Sequence, residues 1–166
     1  MKRIVVFGIG NLIMQDDGIG VRVVKAIQKD LTAHDIITII GETDFQYCFE
    51  QILSDDFIFI IDAMYQNKNP GNIQVIPLHE ALKNHTKLRT QHEFSLLDSI
   101  ALHYPNIQGY IIGIEVLEIG FSSELSKFLN SCFNQTCINI LNSILKLTKK
   151  AADKYVYCDP CQSDSY

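Results

Sequence analysis

Three apolar runs in the first part of the chain predict strands covered on both faces. Arg3–Phe7, Ile36–Ile40 and Asp56–Ile61 are rich in β-branched and aromatic residues and lack the alternation of a half-exposed strand. Between them, apolar residues recur at helical spacing from Gly18 to Leu31, and a shorter helix is expected over Phe45–Leu53. Repeated strand-helix-strand units of this kind predict a parallel sheet with the first strand near its centre.

One strand is expected to run against the others. Asn69-Pro70-Gly71 is a turn signal, with Pro and Gly at the positions such turns favour. The run that follows it, Ile73–Pro77, begins only about ten residues after the third strand, fewer than a parallel crossover requires. We therefore predict that Ile73–Pro77 is antiparallel, lies at an edge of the sheet and ends at Pro77.

The remaining elements complete a layered α/β domain. The pattern predicts a helix over Ser95–His103 capped by Ser95, a fifth strand within Asn106–Glu115 and a long amphipathic helix over Ser122–Lys150. The predicted fold is a single-domain three-layer α/β/α sandwich over residues 1–150, around a twisted, mostly parallel sheet of about five strands. The tail, 151–166, loses this periodicity, and we expect it to be poorly ordered.

Composition and charge exclude several classes of protein. The chain has 166 residues and a formal net charge of −5, so it lacks the dense basic face that binds nucleic acids or anionic membranes. Its longest apolar stretch, Phe57–Ile61, is far shorter than a membrane-spanning helix. The start resembles a leader peptide only superficially, because Gly8 and Gly10 interrupt its apolar run. With five cysteines not spaced like a secreted framework, we expect a soluble cytoplasmic protein, a monomer or a weak dimer.

A dinucleotide-binding loop is the first interpretation to weigh after the first strand. Gly8-Ile9-Gly10 matches the start of that fingerprint, but Ile13 stands where the third glycine is required. Asp16 and Asp17 also precede the helix, where carboxylates would repel a phosphate. The sequence therefore argues against nucleotide binding.

Carboxylates follow two of the predicted parallel strands. Asp16 and Asp17 come after the first strand, and Asp62 follows the apolar run of the third. Ligands of such sheets bind beyond the carboxyl ends of the strands, so these side chains are expected near one another. Each of Asp16 and Asp17 could instead simply cap the helix that follows. A structural role for Asp62 would require it to accept local backbone hydrogen bonds in a turn.

His92 is the candidate histidine for a site shared with these carboxylates. It precedes the predicted helix at Ser95, and its loop could fold over the same edge. The other four histidines are interpreted as exposed or hydrogen-bonded side chains and not as ligands. Asp17, Asp62 and His92 would form a metal site of two carboxylates and one imidazole with positions open for substrate. Since it contains no thiolate, its metal affinity should be modest.

Several segments together resemble the hydrogenase maturation proteases, which process the large subunit of nickel-iron hydrogenases. The similarity runs from Arg3 to about Thr148, and its most specific parts are Gly8–Leu12, Asp16–Val24, Ile61–Ala63, Thr90–Leu96 and Gly113–Glu115. In that family an acidic residue in the first loop, an Asp after the third strand and a later His form the site that contacts metal. Asp17, Asp62 and His92 match these positions as metal and catalytic residues.

The resemblance implies an endopeptidase that removes the C-terminal extension of a nickel-iron hydrogenase large-subunit precursor after nickel insertion. The nickel would then be presented by the substrate, although another divalent cation could occupy the site in vitro. The metal could polarise the scissile carbonyl or activate water, or a carboxylate could act as general base on water. The sequence does not choose between these routes.

Two departures from the family pattern bear on the site. Many members carry Asp-Gly-Gly-Thr after the second strand, whereas this chain has Ile40-Gly41-Glu42-Thr43, which leaves Glu42 as the candidate substitute. Val116 stands where a Pro often follows the Gly-Ile-Glu segment, which affects only the loop geometry.

In the tail, Cys158 and Cys161 form a C-x-x-C pair, which is half a zinc site, a redox pair or without a role.

Two alternative functions remain open. The chain could be a metal-independent aspartic protease of the germination-protease type, with Asp17 and Asp62 as a carboxylate pair. It could also be a non-catalytic chaperone of the nickel site that binds the precursor and cuts nothing. Replacement of His92 should abolish a metal-assisted activity and spare the acid protease.

Overall fold

Five strands form one sheet in the computed structural model, which describes residues 2–66, 68–84 and 93–156. They are β1 (Ile4–Ile9), β2 (Ile37–Glu42), β3 (Phe57–Met64), β4 (Ile73–Pro77) and β5 (Gln108–Glu115). Their order is β2-β1-β3-β5-β4, and all neighbours are parallel except β4 and β5. The predicted fold class is confirmed, as is the antiparallel strand at an edge.

Helices cover both faces of the sheet. They are α1 (Ile19–Thr32), α2 (Phe45–Glu50), α3 (Leu78–Asn84), α4 (Glu93–His103) and α5 (Lys127–Val156), and a short 3-10 helix (Gln15–Gly18) precedes α1. None of the helices in the described residues combines the length and the apolar character needed to cross a membrane.

Two apolar clusters, one on each side of the sheet, hold these layers together. On the first face, α1 and α5 pack on alternate strand residues such as Phe59 and Ile61. On the second, the residues of opposite parity, such as Ile58 and Ile60, pack with α2, α3 and α4. We call these the α5 face and the α4 face. Because successive strand side chains alternate, the face of any strand residue can be read from its neighbours.

β3 is longer than its apolar run. It continues to Met64 because β5 pairs with it that far, with Asp62 opposite Gly113 and Met64 opposite Glu115. Asp62 therefore lies within the strand, whereas the sequence suggested that it follows the strand. β2, predicted to be buried, is partly exposed because it forms the other edge of the sheet.

The helix boundaries also differ from the sequence expectations. α4 begins at Glu93, so Ser95 lies inside the helix and does not cap it. α5 begins at Lys127 instead of Ser122 and ends at Val156, beyond Lys150. Ser126 precedes α5, and its hydroxyl accepts the amide of Leu129 at 3.3 Å, which is an N-cap interaction. Residues 157–166, including the C-x-x-C pair, lie outside the described residues.

Candidate active site at the carboxyl edge of the sheet

Buried acidic side chains are concentrated at one edge of the sheet. The described residues include five buried carboxylates, and four of them, Asp16, Asp17, Asp62 and Glu115, lie at the carboxyl ends of β1, β3 and β5. The fifth, Asp56, lies at the opposite edge, paired with Arg3. Buried carboxylates are costly unless they are paired or hydrogen-bonded, so such a concentration points to a functional edge.

Asp17 lies in the 3-10 helix between β1 and α1. Its Oδ2 accepts the amide of Asn11 at 2.8 Å, which ties the start of the first loop to its end. Gly10 makes this tight loop possible, because its φ of 128° is in the region that favours glycine and a Cβ there would collide with the carbonyl oxygen of Asp17.

The start of α1 sits directly on the sheet. A Cβ at Gly20 would collide with the carbonyl oxygens of Ile9 in β1 and Ile61 in β3. The 3-10 helix that carries Asp17 contacts β3 as a consequence. The glycine thus brings the first loop down onto the strand that carries Asp62.

Asp62 is fully buried near the end of β3. Its Oδ1 accepts the amide of Ala63 at 2.8 Å. By alternation with Ile58 and Ile60, Asp62 belongs to the α4 face, where Leu96 and Leu97 of α4 pack. The structure therefore brings the elements carrying Asp17 and Asp62 together at one edge, and His92 lies outside the described residues.

Asp16 has a role that the sequence did not reveal. Its Oδ1 accepts the amide of Ser126 at 2.7 Å, and its Oδ2 accepts those of Leu117 and Glu118, both at 3.2 Å. The buried carboxylate thus fixes the loop between β5 and α5 to the first loop. These partners lie more than a hundred residues away along the chain, so no local pattern signals the interaction.

Glu115 is a second buried acid that the sequence analysis did not select. Its Oε1 accepts the amides of Gln66 at 2.8 Å and Lys68 at 3.0 Å, which holds the loop that follows β3. Within the described part of the chain, its buried Oε2 has no hydrogen-bond partner. Glu115 belongs to the same α4 face as Asp62, because it alternates with Ile111 of that face. A lone acid after an apolar run, the signal that identified Asp62, was also present here.

Comparison with known proteins identifies the family. The family model described as hydrogenase maturation protease matches residues 21–142, which include Asp62 and His92. This chain belongs to the hydrogenase maturation protease family.

Individual members of the hydrogenase maturation protease family are distant relatives of this chain. A hydrogenase expression/formation protein, HupD, of Rhizobium leguminosarum is 30% identical over 70% of this chain and 61% of its own length. The hydrogenase 2 maturation protease of Escherichia coli is 30% identical over 60% of this chain and 62% of its own. The chain thus spans about three fifths of the length of these curated relatives.

A solved structure shares the fold. The hydrogenase maturating endopeptidase HybD of E. coli superposes with a TM-score of 0.72 at 22% identity, covering 87% of this chain and 93% of that one. At this level of identity the likeness supports the sheet and helix arrangement, while the site rests on the residues themselves.

Glu42, the candidate substitute for the missing family Asp, lies at the surface. It ends the edge strand β2, and its Oε1 lies 3.4 Å from the Nζ of Lys25 on α1. Its backbone φ of 49° and its carbonyl, which accepts the amide of Gly10 at 3.0 Å, shape the first loop. The Glu42 carboxylate is therefore engaged with Lys25, and the structure offers no support for a role in the site.

Val116 makes a bond that the family's usual Pro could not make. Its amide donates to the carbonyl of Met64 at 2.9 Å, which extends the pairing of β3 and β5 by one step. The departure at this position thus strengthens the end of the sheet.

No group of three or more His, Cys, Asp and Glu side chains that could hold a metal ion occurs among the described residues. Asp17 and Asp62 offer hard oxygen donors, which suit a divalent cation that also receives ligands from elsewhere. A pair of carboxylates in a buried, negatively charged edge would attract such a cation without enclosing it. The chemistry of these two side chains therefore fits a role in holding a divalent cation.

Proposed function

We propose that this protein is the endopeptidase that removes the C-terminal extension from the precursor of a nickel-iron hydrogenase large subunit after nickel insertion. The proposal is supported by the contact between the 3-10 helix that carries Asp17 and the strand β3 that carries Asp62, in a chain of the hydrogenase maturation protease family. A relative from E. coli bears the name of hydrogenase 2 maturation protease, which agrees with this substrate class.

Nickel enters this proposal as part of the substrate. Asp17, Asp62 and His92 would contact the nickel that the precursor carries, and the precursor would supply the remaining ligands. Under this arrangement the affinity of the site need be high only for a nickel-loaded precursor, because the precursor completes the coordination. A different divalent cation could occupy the same donors in vitro.

Hydrolysis needs a proton acceptor for water and a proton donor for the leaving amine. A carboxylate of the pair would accept a proton from the attacking water and return it to the amide nitrogen as the peptide bond breaks. Contact with the precursor's nickel would place the scissile bond against Asp17 and Asp62, so that only a loaded precursor is held in register. One water is consumed, and two peptides leave.

We further propose that the protein works in the cytoplasm as a monomer or weak dimer. The three described cysteines, Cys48, Cys132 and Cys137, are free thiols, as a reducing compartment favours. No nucleic acid or membrane is expected to take part, given the net charge of −5.

The intact mass of the precursor tests this function. Nickel-loaded and nickel-free precursor from the same source would be incubated with the wild type and with the Asp17→Asn and His92→Ala variants. We expect loss of a C-terminal peptide only from loaded precursor with wild-type protein. Cleavage that persists with His92→Ala would instead indicate the aspartic protease. A stable complex with a precursor of unchanged mass would indicate the chaperone.

A further inference from the structure

One buried residue, Glu115, holds the loop that follows β3 through both its backbone and its side chain. Its amide donates to the carbonyl of Asn72 at 2.8 Å, and its carbonyl accepts the amide of Gly71 at 2.7 Å. Its side-chain Oε1 accepts the amides of Gln66 and Lys68. Since both of these residues come soon after the last residue of β3, the Glu115 carboxylate is fixed at the end of that strand.

The bonds to these two amides use only part of what the Glu115 side chain offers. The residue is 1% exposed, and its Oε2 has no hydrogen-bond partner in the described part of the chain. Asp16 and Asp56, by contrast, each engage both carboxylate oxygens. The neutral side chain of glutamine could accept the same two amides through its single oxygen. The loop therefore explains neither the charge of Glu115 nor its second oxygen.

No cation among the described residues is paired with Glu115. Its side chain accepts only backbone amides, and none of the ion pairs in the described part of the chain involves it. Lys68 contributes its amide, and its side chain is exposed. Arg22 lies on α1, which packs on the opposite face of the sheet, and its guanidinium donates to the carbonyls of Leu12 and Ser123. The charge of Glu115 is thus available to a cation from another molecule.

Glu115 lies one step beyond Asp62 on the same face of the sheet. β3 and β5 pair Asp62 with Gly113 and Met64 with Glu115, so these residues form two adjacent rows on the α4 face. Strand geometry places the Cα atoms of Asp62 and Glu115 about 8 Å apart. The side chain of Met64 fills the space over Gly113, because a Cβ there would collide with the Met64 sulfur. A buried apolar side chain thus lies beside the two carboxylates, where charges are screened less than in water.

We propose that Glu115 acts on the candidate site through its charge, as a positioning residue that attracts a divalent cation to Asp17 and Asp62 without ligating it. No three acids in the described part of the chain form a group that could hold a metal ion, so Glu115 acts at a distance. At about 8 Å, in a medium less polar than water, one buried charge should change the affinity for a divalent cation by about tenfold or more. This inference rests on the proposed function, because it names a residue that helps to recognise a metal-bearing precursor.

The test measures the affinity of the full chain for Ni²⁺ alone by calorimetry, in the wild type and in Glu115→Gln. Glutamine keeps an oxygen for the amides of Gln66 and Lys68 and removes the charge. Glu118→Gln is the matched control, since it removes the same charge from an exposed side chain in the loop that follows β5. Asp62→Asn defines which part of the Ni²⁺ binding belongs to the site, because thiols and other Ni²⁺ ligands remain in that variant.

We expect Glu115→Gln to raise Kd for Ni²⁺ at the site by about tenfold or more. Its melting temperature should stay within about 4 °C of the wild type, because the two amides keep an acceptor. Glu118→Gln should change Kd by less than about twofold, since solvent and salt screen an exposed charge. Equal Kd values for the wild type and Glu115→Gln would overturn the inference. Failure of Glu115→Gln to fold would do the same, because the charge would then be required by the structure.

The cleavage assay decides the proposed function separately. If the wild type leaves nickel-loaded precursor uncut, the peptidase fails, and the Ni²⁺ affinities still decide the role of Glu115. If Glu115→Gln binds Ni²⁺ as tightly as the wild type, the role of Glu115 is wrong although the peptidase stands. The role is also wrong if Asp62→Asn removes no Ni²⁺ binding from the wild type, because Glu115 would then have no cation to attract.

Discussion

Buried carboxylates at the two edges of the sheet have different hydrogen-bond partners. At the amino edge, Arg3 Nε and Nη2 donate to Asp56 Oδ1 and Oδ2 at 2.7 and 2.6 Å, and the amide of Leu53 donates to the same carboxylate. At the carboxyl edge, Asp16 and Glu115 are held by backbone amides, and Asp17 and Asp62 each accept an amide as well.

We assign a stabilising role to the Arg3–Asp56 pair at the amino edge and the candidate function to the carboxyl edge. A guanidinium neutralises Asp56 and fastens β1 to β3, and the neighbouring carboxylate raises the pKa of Arg3 above its usual value. Backbone amides can hold a carboxylate in place but leave its charge uncompensated. Asp16 and Glu115 at the carboxyl edge are thus held by backbone amides, whereas Asp56 at the amino edge is balanced by the charge of Arg3.

The largest effect should come from removing a charge at the carboxyl edge. Asp62→Asn and Asp17→Asn should each lower cleavage of nickel-loaded precursor by about a hundredfold or more, since loss of a general base or of a metal contact costs that much. Mass spectrometry of the precursor over time measures the rate. Circular dichroism should show an unchanged fold, and a rate within a few fold of the wild type would exclude the residue from the chemistry.

At the amino edge, Arg3→Met should change stability and leave cleavage intact. It removes the cation from a buried carboxylate, and because Arg3 is partly exposed we expect a loss of about 2 kcal/mol in the free energy of unfolding. A protein of this size should then melt about 4–8 °C lower. Urea unfolding checks the value. A loss of cleavage without a loss of stability would contradict the assignment of stability to the amino edge and of function to the carboxyl edge.

Replacement of Asp16 should affect both stability and cleavage, because its carboxylate holds the loop between β5 and α5 beside the candidate site. Asp16→Asn places an amide NH₂ against backbone donors, and we expect about 1–2 kcal/mol of destabilisation. KM for the precursor should rise and kcat change little, as the loop 116–126 loosens. Asp30→Asn on the exposed side of α1 is the matched control, and similar kinetics for both variants would contradict the role of Asp16.

The buried Cys48 between the two edges should give a smaller effect, a dependence of the folded protein's stability on pH. Burial raises the pKa of the Cys48 thiol from 9.0 to about 11, and the nearby Asp44 adds to the shift. The folded protein thus keeps a proton that the unfolded chain loses above pH 9, so stability should fall between about pH 9 and 11. Urea midpoints across this range measure it. Cys48→Ala should show a shallower fall, and an equal slope in both proteins would refute the assignment.

The smallest effect is expected for Glu42→Ala. Its carboxylate is exposed and faces Lys25, and a surface pair of this kind contributes little. Cleavage should stay within about twofold of the wild type and melting within about 2 °C. A large loss of cleavage would restore Glu42 as the substitute for the family's acidic residue.

The sequence predicted those features that depend on local pattern. The order of elements was enough to predict that Asp17, in the loop after β1, and Asp62, at the end of the apolar run of β3, lie at the carboxyl edge of a parallel sheet. The short connection between the third apolar run and Ile73–Pro77 was enough to predict that Ile73–Pro77 is antiparallel, which the pairing with β5 confirms. Fold class followed from the order of strands and helices.

Features set by distant partners could not be predicted in this way. The extension of β3 through Asp62 depends on its pairing with β5. The start of α5 at Lys127 depends on Asp16, which holds the amide of Ser126 and keeps the preceding residues out of the helix. Helix α3, only seven residues long, has too short a pattern to be recognised.

One assay compares the two edges directly. Nickel-loaded precursor would be incubated with the wild type, Asp62→Asn and Arg3→Met at a temperature at which all three are folded, and its intact mass followed over time. The account predicts an uncut precursor with Asp62→Asn and wild-type loss of the C-terminal peptide with Arg3→Met. Cleavage by Asp62→Asn at the wild-type rate, or loss of cleavage in folded Arg3→Met, would contradict it.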